Sequence, residues 1–311
     1  MRALALALLA VGCAGYQYLL PRNQGGAGSA TGLEYRQGVF ETADGLHLFE
    51  QSWRPTEHPV RAVLIITHGL KDHSSRYAQV AAQLTRQGFA VYGFDLRGHG
   101  NSEGYRVWVD SFDQYVDDLD RFVGLVKARE PGRPLFLFGH SMGGAIVTEL
   151  ALTRRPAVRG LVLSGPALKV TSDVGSFLVA ITRFLGVVAP HLAVLDLPNS
   201  SFSRDPQVVA DMTHDPLVFQ GSGPARTAAQ LLSAIRHIQH SMEELTLPVL
   251  LLHGRADKLT NPEGSQEMYR RAGSTDKTLK LYEGYYHDLL HEPERARVEG
   301  DLVQWLTARA Q

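Results

Sequence analysis

The chain has 311 residues, a formal net charge of −1, 20% charged residues and a single cysteine, Cys13. No strong field exists to gather nucleic acid or another polyanion, and one cysteine can build neither an intrachain disulfide nor a cysteine-rich metal site. The length suits one large α/β core carrying an insertion, and no internal repeat or linker divides it.

Met1 and Arg2 give a positive start and Ala3 to Val11 is an apolar run, the pattern of a signal peptide. Leu9, Ala10, Val11, Gly12 and Cys13 resemble a bacterial lipobox, with alanine at position 10 where leucine is commoner. This reading makes residues 1–12 a lipoprotein-type signal peptide and Cys13 the lipidated residue. It implies an extracytoplasmic, membrane-associated protein. An ordinary signal peptide or a short uncleaved anchor stays open, because apolar residues resume to Leu20, although Gln17 and the glycines make a poor span. Residues 13–32 read as a flexible tether, since Pro21 to Gly32 is rich in Gly, Ala and Ser without apolar period. The folded domain is expected over 33–311.

Within it, short β-rich runs alternate with helical stretches, which predicts an α/β fold with a mostly parallel sheet flanked by helices. Tyr35 to Thr42 and Leu46 to Trp53 suit an antiparallel pair turning at Ala43, Asp44 and Gly45. The later runs, Ala62 to Thr67, Ala90 to Phe94, Leu135 to Phe138, Leu161 to Leu163, Val249 to Leu252 and Leu279 to Tyr282, suit strands buried on both faces. Helices are predicted over Arg76 to Gln87, Phe112 to Arg129, Ala145 to Thr153 and Ala225 to His240. About eighty residues separate the runs ending at Leu163 and starting at Val249, far more than one crossover needs. An inserted helical cap over about 167–225 accounts for the excess.

Gly139, His140, Ser141, Met142 and Gly143 form a GxSxG pattern between a predicted strand and a predicted helix. The pattern alone arises by chance in about one chain in ten of this length, so its placement carries the weight. A serine on a tight strand-to-helix turn projects its hydroxyl at the carboxyl edge of the sheet. To become a nucleophile it needs a base, and the base needs an orienting acid. Asp257 follows the run Val249 to Leu252, and His287 follows Leu279 to Tyr282. The order Ser141, Asp257, His287 is that of α/β-hydrolases. His291, four residues past His287, is the rival base, expected to point away from Ser141 from the final helix. Asp288 adjoins the base and is poorly placed to orient it. His287, Asp288, Leu289, Leu290 and His291 echo the zinc HExxH signature, but aspartate is a shorter base and no third ligand is evident. Neither a metal nor a cofactor is therefore expected. The oxyanion donors are expected to be the backbone amides of Met142 and of Leu70, the latter in the His68, Gly69, Leu70 loop, where His68 reads as structural.

These motifs resemble the monoacylglycerol lipases and the related lysophospholipase and serine-aminopeptidase-like hydrolases. The matching blocks read HGLKDHSSRY from His68, FDLRGHGNSEG from Phe94, GHSMGGAI from Gly139, HGRADKLTNP from His253 and KTLKLYEGYYHDLLHE from Lys277. The resemblance implies an α/β-hydrolase with an inserted cap, acting on single-chain acyl esters at a membrane surface. It further implies that Asp72 and Arg76 help place the glycerol end, with an exposed ion pair on one helix turn as the alternative. A second family histidine near the glycerol lies three residues after the catalytic one, whereas here His291 comes four after. Val174 to Ala189 is almost wholly apolar, which suits a helix that is buried or touches lipid. In the family the cap roofs an acyl tunnel, and Phe177 and Ile181 are the expected acyl-contacting residues, with plain packing on the core as the alternative.

The predicted activity is hydrolysis of monoacylglycerol to fatty acid and glycerol through an acyl-enzyme. Lysophospholipids, other carboxylic esters and thioesters are the enzymatic alternatives on the same triad. A catalytically silent binding protein of this fold is the alternative of another class.

Overall fold

In the computed structural model, residues 18–19, 27–30, 32–170 and 176–311 are described. Cys13 and the expected signal peptide lie outside them, as does most of the expected tether. Within that tether, Ala27–Ala30 forms strand β1, paired antiparallel with β2 (Leu33–Glu41).

β2 and β3 (His47–Pro55) pair antiparallel about the turn where Gly45 has a φ of 86°, a left-handed conformation that glycine adopts without side-chain strain. The remaining strands are β4 (Ala62–Thr67), β5 (Phe89–Phe94), β6 (Leu135–His140), β7 (Gly160–Ser164), β8 (Val249–Gly254) and β9 (Lys277–Tyr282). Together they form one nine-stranded sheet of order β9-β8-β7-β6-β4-β5-β3-β2-β1. β3 meets β5 antiparallel, whereas β5, β4, β6, β7, β8 and β9 run parallel. All six parallel strands therefore end at the same edge.

β4 shows why these runs lack polar alternation. Val63 and Ile65 enter one core cluster while Ala62, Leu64 and Ile66 enter the other, so successive side chains pass to opposite faces and both faces are dry. One face is covered by α2 (Asp113–Arg129) and α3 (Met142–Thr153), through Leu119, Phe122, Ile146 and Leu150. The other is covered by α1 (Ala78–Arg86) and α8 (Arg295–Arg309), through Leu84, Leu302 and Trp305.

Two boundaries differ from expectation in ways that matter for the site. α3 begins at Met142, three residues before the expected start, so Ser141 is itself the residue entering the helix. α1 is preceded by a separate 3₁₀ turn, Ser74–Tyr77, which holds Arg76 outside the helix proper.

Between β7 and β8 lies the cap. It contains α4 (Ser176–Val188), α5 (Pro206–His214), a short antiparallel pairing of Ala193–Leu195 with Gly223–Pro224, and α6 (Ala225–Ser241). α5 starts cleanly because Asp205 accepts a hydrogen bond from the Gln207 amide and Pro206 fills the first turn. α4 lies close on α6 at Gly186, where an added Cβ would fall 2.6 Å from the Ala229 Cβ. Its opposite face is open: Phe184 is 64% exposed, Val187 73% and Val188 57%. Among the described residues, no helix is long and apolar enough to cross a membrane.

Candidate active site

Ser141 connects β6 to α3 with φ 55° and ψ −120°, a left-handed conformation that costs a non-glycine residue energy. The sharpness of the turn accounts for the small residues around it. A Cβ on Gly139 would lie 2.4 Å from the Gly143 carbonyl oxygen, and one on Gly143 would lie 2.2 Å from that of Thr67. The turn is fixed from both sides, with the Ser141 amide donating to the Ser164 carbonyl at 3.0 Å and the Ala167 amide donating to the Ser141 carbonyl at 3.0 Å. Ser141 is half-buried at the carboxyl edge.

The loop after β4 abuts this turn, since a Cβ on Gly69 would lie 3.0 Å from the Ser141 Cβ. His68 shapes the loop from inside. Its Nδ1 donates to the Gly69 carbonyl and its Nε2 accepts from the Leu96 amide, so both ring nitrogens are used on backbone. Burial lowers its pKa, which suits the neutral ring those bonds require. Met142 is the first residue of α3, where the amide has no intrahelical acceptor. Among the described residues neither the Met142 nor the Leu70 amide hydrogen finds an acceptor, which leaves both available to an oxyanion.

Asp257 and His287 meet beneath this edge. His287 Nδ1 is 2.8 Å from Asp257 Oδ2, and both side chains are almost fully buried. Gly165, with φ 49°, closes over the pair: a Cβ there would meet the His287 carbonyl at 3.0 Å and Nδ1 at 3.3 Å. The His287 ring lies 4.7 Å from that of His140, the residue before Ser141. From the cap, Phe202 presents its ring edge-on to His287 at 5.6 Å, and its carbonyl accepts the Asp288 amide at 2.7 Å. Burial alone would raise the Asp257 carboxyl, but His287 and His253 more than offset this and hold it well below the usual carboxylate range. Burial alone would lower His287, and Asp257, with Asp288 and Asp72 behind it, raises it above the ordinary imidazole value. Such a couple can take a hydroxyl proton and stabilise the resulting imidazolium.

Asp72, Arg76 and His291 form a polar cluster that adjoins the base through Asp288. Asp72 and Arg76 are not an exposed pair on a helix turn: Asp72 is buried, the Arg76 side chain is only 10% exposed, and Arg76 bridges Asp72 at 3.0 Å and Asp288 at 2.7 Å. Asp72 also accepts from the Tyr77 hydroxyl at 3.0 Å. Their charges are spent on each other and on Asp288. His291 belongs to a 3₁₀ turn, Leu289–His291, and not to the final helix. Its Nδ1 meets Asp288 at 2.8 Å and its Nε2 the Arg76 carbonyl at 3.0 Å, so it joins the same cluster. Ile181 is half-buried on α4, whereas the Phe177 side chain lies outside the described features, as does Cys13.

Sequence reasoning missed Thr260 and His253, which both contact Asp257. Thr260 Oγ1 donates to Asp257 Oδ2 at 2.8 Å, and His253 Nε2 lies 3.2 Å from the same oxygen. A signal existed for His253, four residues before the acid across a tight turn, but β8 continues through Gly254 and carries His253 inside rather than leaving it in the turn.

The serine aminopeptidase S33 hydrolase family matches residues 58–294. A monoacylglycerol lipase of Mycolicibacterium smegmatis is 36% identical over 269 residues, covering 86% of this chain and 96% of that protein. The human monoglyceride lipase is 36% identical over 270 residues, covering 86% of this chain and 89% of its own. The crystal structure of Paleococcus ferrophilus monoacylglycerol lipase superposes with a TM-score of 0.74 at 31% identity, covering 88% of this chain and 99% of that one. The chain belongs to the monoacylglycerol lipase family, within the S33 hydrolases of α/β-hydrolase fold. It is a monoacylglycerol lipase-like serine ester hydrolase. The matching motifs lie at the carboxyl ends of the strands and in the loops and first helical residues that follow them.

Proposed function

We propose that this hydrolase cleaves monoacylglycerols, with Ser141 as nucleophile, His287 as general base and Asp257 as orienting acid. His287 Nε2 takes the Ser141 hydroxyl proton as Oγ attacks the acyl carbonyl, and the oxyanion is held by the Leu70 and Met142 amides. Collapse of the tetrahedral adduct returns that proton to the leaving glycerol oxygen and leaves an acyl ester on Ser141. Water, deprotonated by His287, then attacks the ester and releases the fatty acid, restoring the serine. The observation that carries the reading is the buried 2.8 Å contact of His287 with Asp257 beside a left-handed Ser141.

The preference for a single acyl chain rests on the family and on the open apolar face of α4. Phe184, Val187 and Val188 recur at helical spacing on one exposed face, the kind of surface that meets a lipid layer. Lipid attachment at Cys13 would hold such a face near its substrate outside the cytoplasm, and the lipobox-like run at Leu9 to Cys13 supports that placement. The deciding experiment measures turnover of monoacylglycerols, lysophospholipids and amino-acid amides side by side. Fastest turnover of monoacylglycerols is expected. A preference for lysophospholipids would reassign the substrate on the same triad, and a preference for amides would overturn the ester reading.

A further inference from the structure

His253 is the penultimate residue of β8, is fully buried, and has no part in the proton transfers described above. Its Nε2 lies 3.2 Å from Asp257 Oδ2 and its Nδ1 lies 2.7 Å from the Ser265 hydroxyl, on α7 (Pro262–Arg271), also fully buried. The same Nε2 lies 3.3 Å from the Thr260 hydroxyl, which itself donates to Asp257, so Nε2 faces two acceptor oxygens and carries the hydrogen, while Nδ1 accepts from the Ser265 hydroxyl. The result is a chain, Ser265 to His253 to Asp257, that reaches the same carboxylate oxygen as the proposed base.

Asp257 does not need His253 to stay in place. Its Oδ1 accepts the Leu259 amide at 2.8 Å and the Thr260 amide at 3.0 Å, and its Oδ2 accepts the Thr260 hydroxyl at 2.8 Å. With orientation already fixed by these three, the distinct effect of a second imidazole is on charge. Oδ2 is shared between His253 and His287, and each donor to that oxygen leaves less negative potential to stabilise a protonated His287.

We propose that His253, set by Ser265, is a positioning residue that shares the Asp257 carboxylate with His287 and keeps the base easier to deprotonate. The proposal rests on reading Asp257 and His287 as the acid and base of the triad. The other ionisable groups facing His287 are Asp288 beside it, Asp72 from the loop after β4 and His140 from the end of β6, with Arg76 balancing both aspartates. Among the described residues none of them shares a hydrogen bond or ion pair with His253, whose polar partners are Asp257, Thr260 and Ser265.

The test uses His253→Phe, which keeps an aromatic ring and removes both nitrogens, and His253→Gln, whose amide nitrogen reaches toward the former Nε2 position. The titration of the His287 imidazole is followed by NMR in the full chain carrying Ser141→Ala, and the acid limb of kcat/KM on a soluble ester is followed with Ser141 intact. With His253→Phe both midpoints are expected to rise by about one pH unit, the effect of losing one polar N–H beside the shared carboxylate oxygen. His253→Gln should return them toward the native position, which a packing role would not do. Ser265→Ala, which leaves the ring but weakens it as a donor, should give a smaller rise. Coincident native and His253→Phe titrations would overturn the proposal. If His253→Phe does not fold, an unmoved His287 midpoint in Ser265→Ala overturns it instead. The NMR midpoint does not depend on turnover, so failure of Ser141 as nucleophile would appear separately, as activity surviving in Ser141→Ala.

Discussion

The carboxyl edge of the sheet and helix α4 of the cap each hold side chains where simple hydration would not put them, charges covered at one and apolar groups open at the other. At the edge, Asp72, His287 and Asp288 are buried, the Arg76 and Asp257 side chains are almost wholly covered, and all five are paired. On α4, Phe184, Val187 and Val188 are left open. Burying charge is costly unless each group finds a partner, so the edge is rigid by necessity. Exposed apolar area exerts no such constraint on the fold, and a contiguous patch of it marks a contact surface. The edge is therefore where chemistry is held, and the cap is where substrate preference can change without disturbing it.

Ser141→Ala separates the two regions most sharply. It should lower ester turnover by roughly 10⁴ to 10⁶ and abolish fluorophosphonate labelling, because the members of a triad act as a unit. The circular dichroism and melting profile should stay native. Substantial turnover in the pure, folded variant would remove Ser141 from the mechanism.

Arg76→Met attacks the charge beneath the edge. Asp72 and Asp288 would be left buried without their shared cation, which should cost about 3 to 5 kcal/mol of stability by urea denaturation. An exposed ion pair would cost far less, about 1 kcal/mol or below, so the measured value discriminates between the buried bridge and the surface pair that the sequence suggested.

The pH dependence follows from the raised value of His287 and has opposite signs for activity and stability. Its neutral form is the one proposed as base, so kcat/KM should fall as pH drops through a value above the ordinary imidazole pKa of about 6.5. Its protonated form is the one bound more tightly to Asp257. That increment of stability is fully present below about 6.5 and is lost as pH rises through the raised folded value. The depressed carboxyl of Asp257 behaves conversely, stabilising above about 3.9 and losing that contribution as pH falls. A kinetic acid limb lying below the ordinary imidazole value would show that His287 is not the base.

The smallest effect belongs to the cap. Phe184→Ser combined with Val187→Ser should leave stability within about 0.5 kcal/mol, as for other exposed sites. Turnover of a short soluble ester should be unchanged while turnover of long-chain monoacylglycerol in vesicles falls several-fold. Equal losses on both substrates would make α4 a structural element, and the contrast between the two regions would collapse.

Legibility in the sequence follows the same division. The nucleophile turn, the strands behind it and the order Ser141, Asp257, His287 can be read from local pattern, because each depends on a strand, a tight turn and the residue that follows. The shared cluster of Asp72, Arg76 and His291 is not legible in this way, since a spacing of four residues says nothing about what covers them. The cap was legible as an excess of chain between β7 and β8. Its exposed face was not, because an apolar run reads alike whether it meets another helix or solvent.

By itself the sequence determined the fold class, the family and the three residues proposed for the triad, all of which depend on short-range chemistry in a few turns. Only the tertiary structure decided that Arg76 lies between Asp72 and Asp288, that Phe202 of the cap rests on His287, and that His253 and Thr260 share the triad acid. Those contacts join segments from different parts of the chain or turn on a strand continuing two residues further than expected. Their energies depend on burial, and burial is set by the packing of the whole domain rather than by any local run of residues.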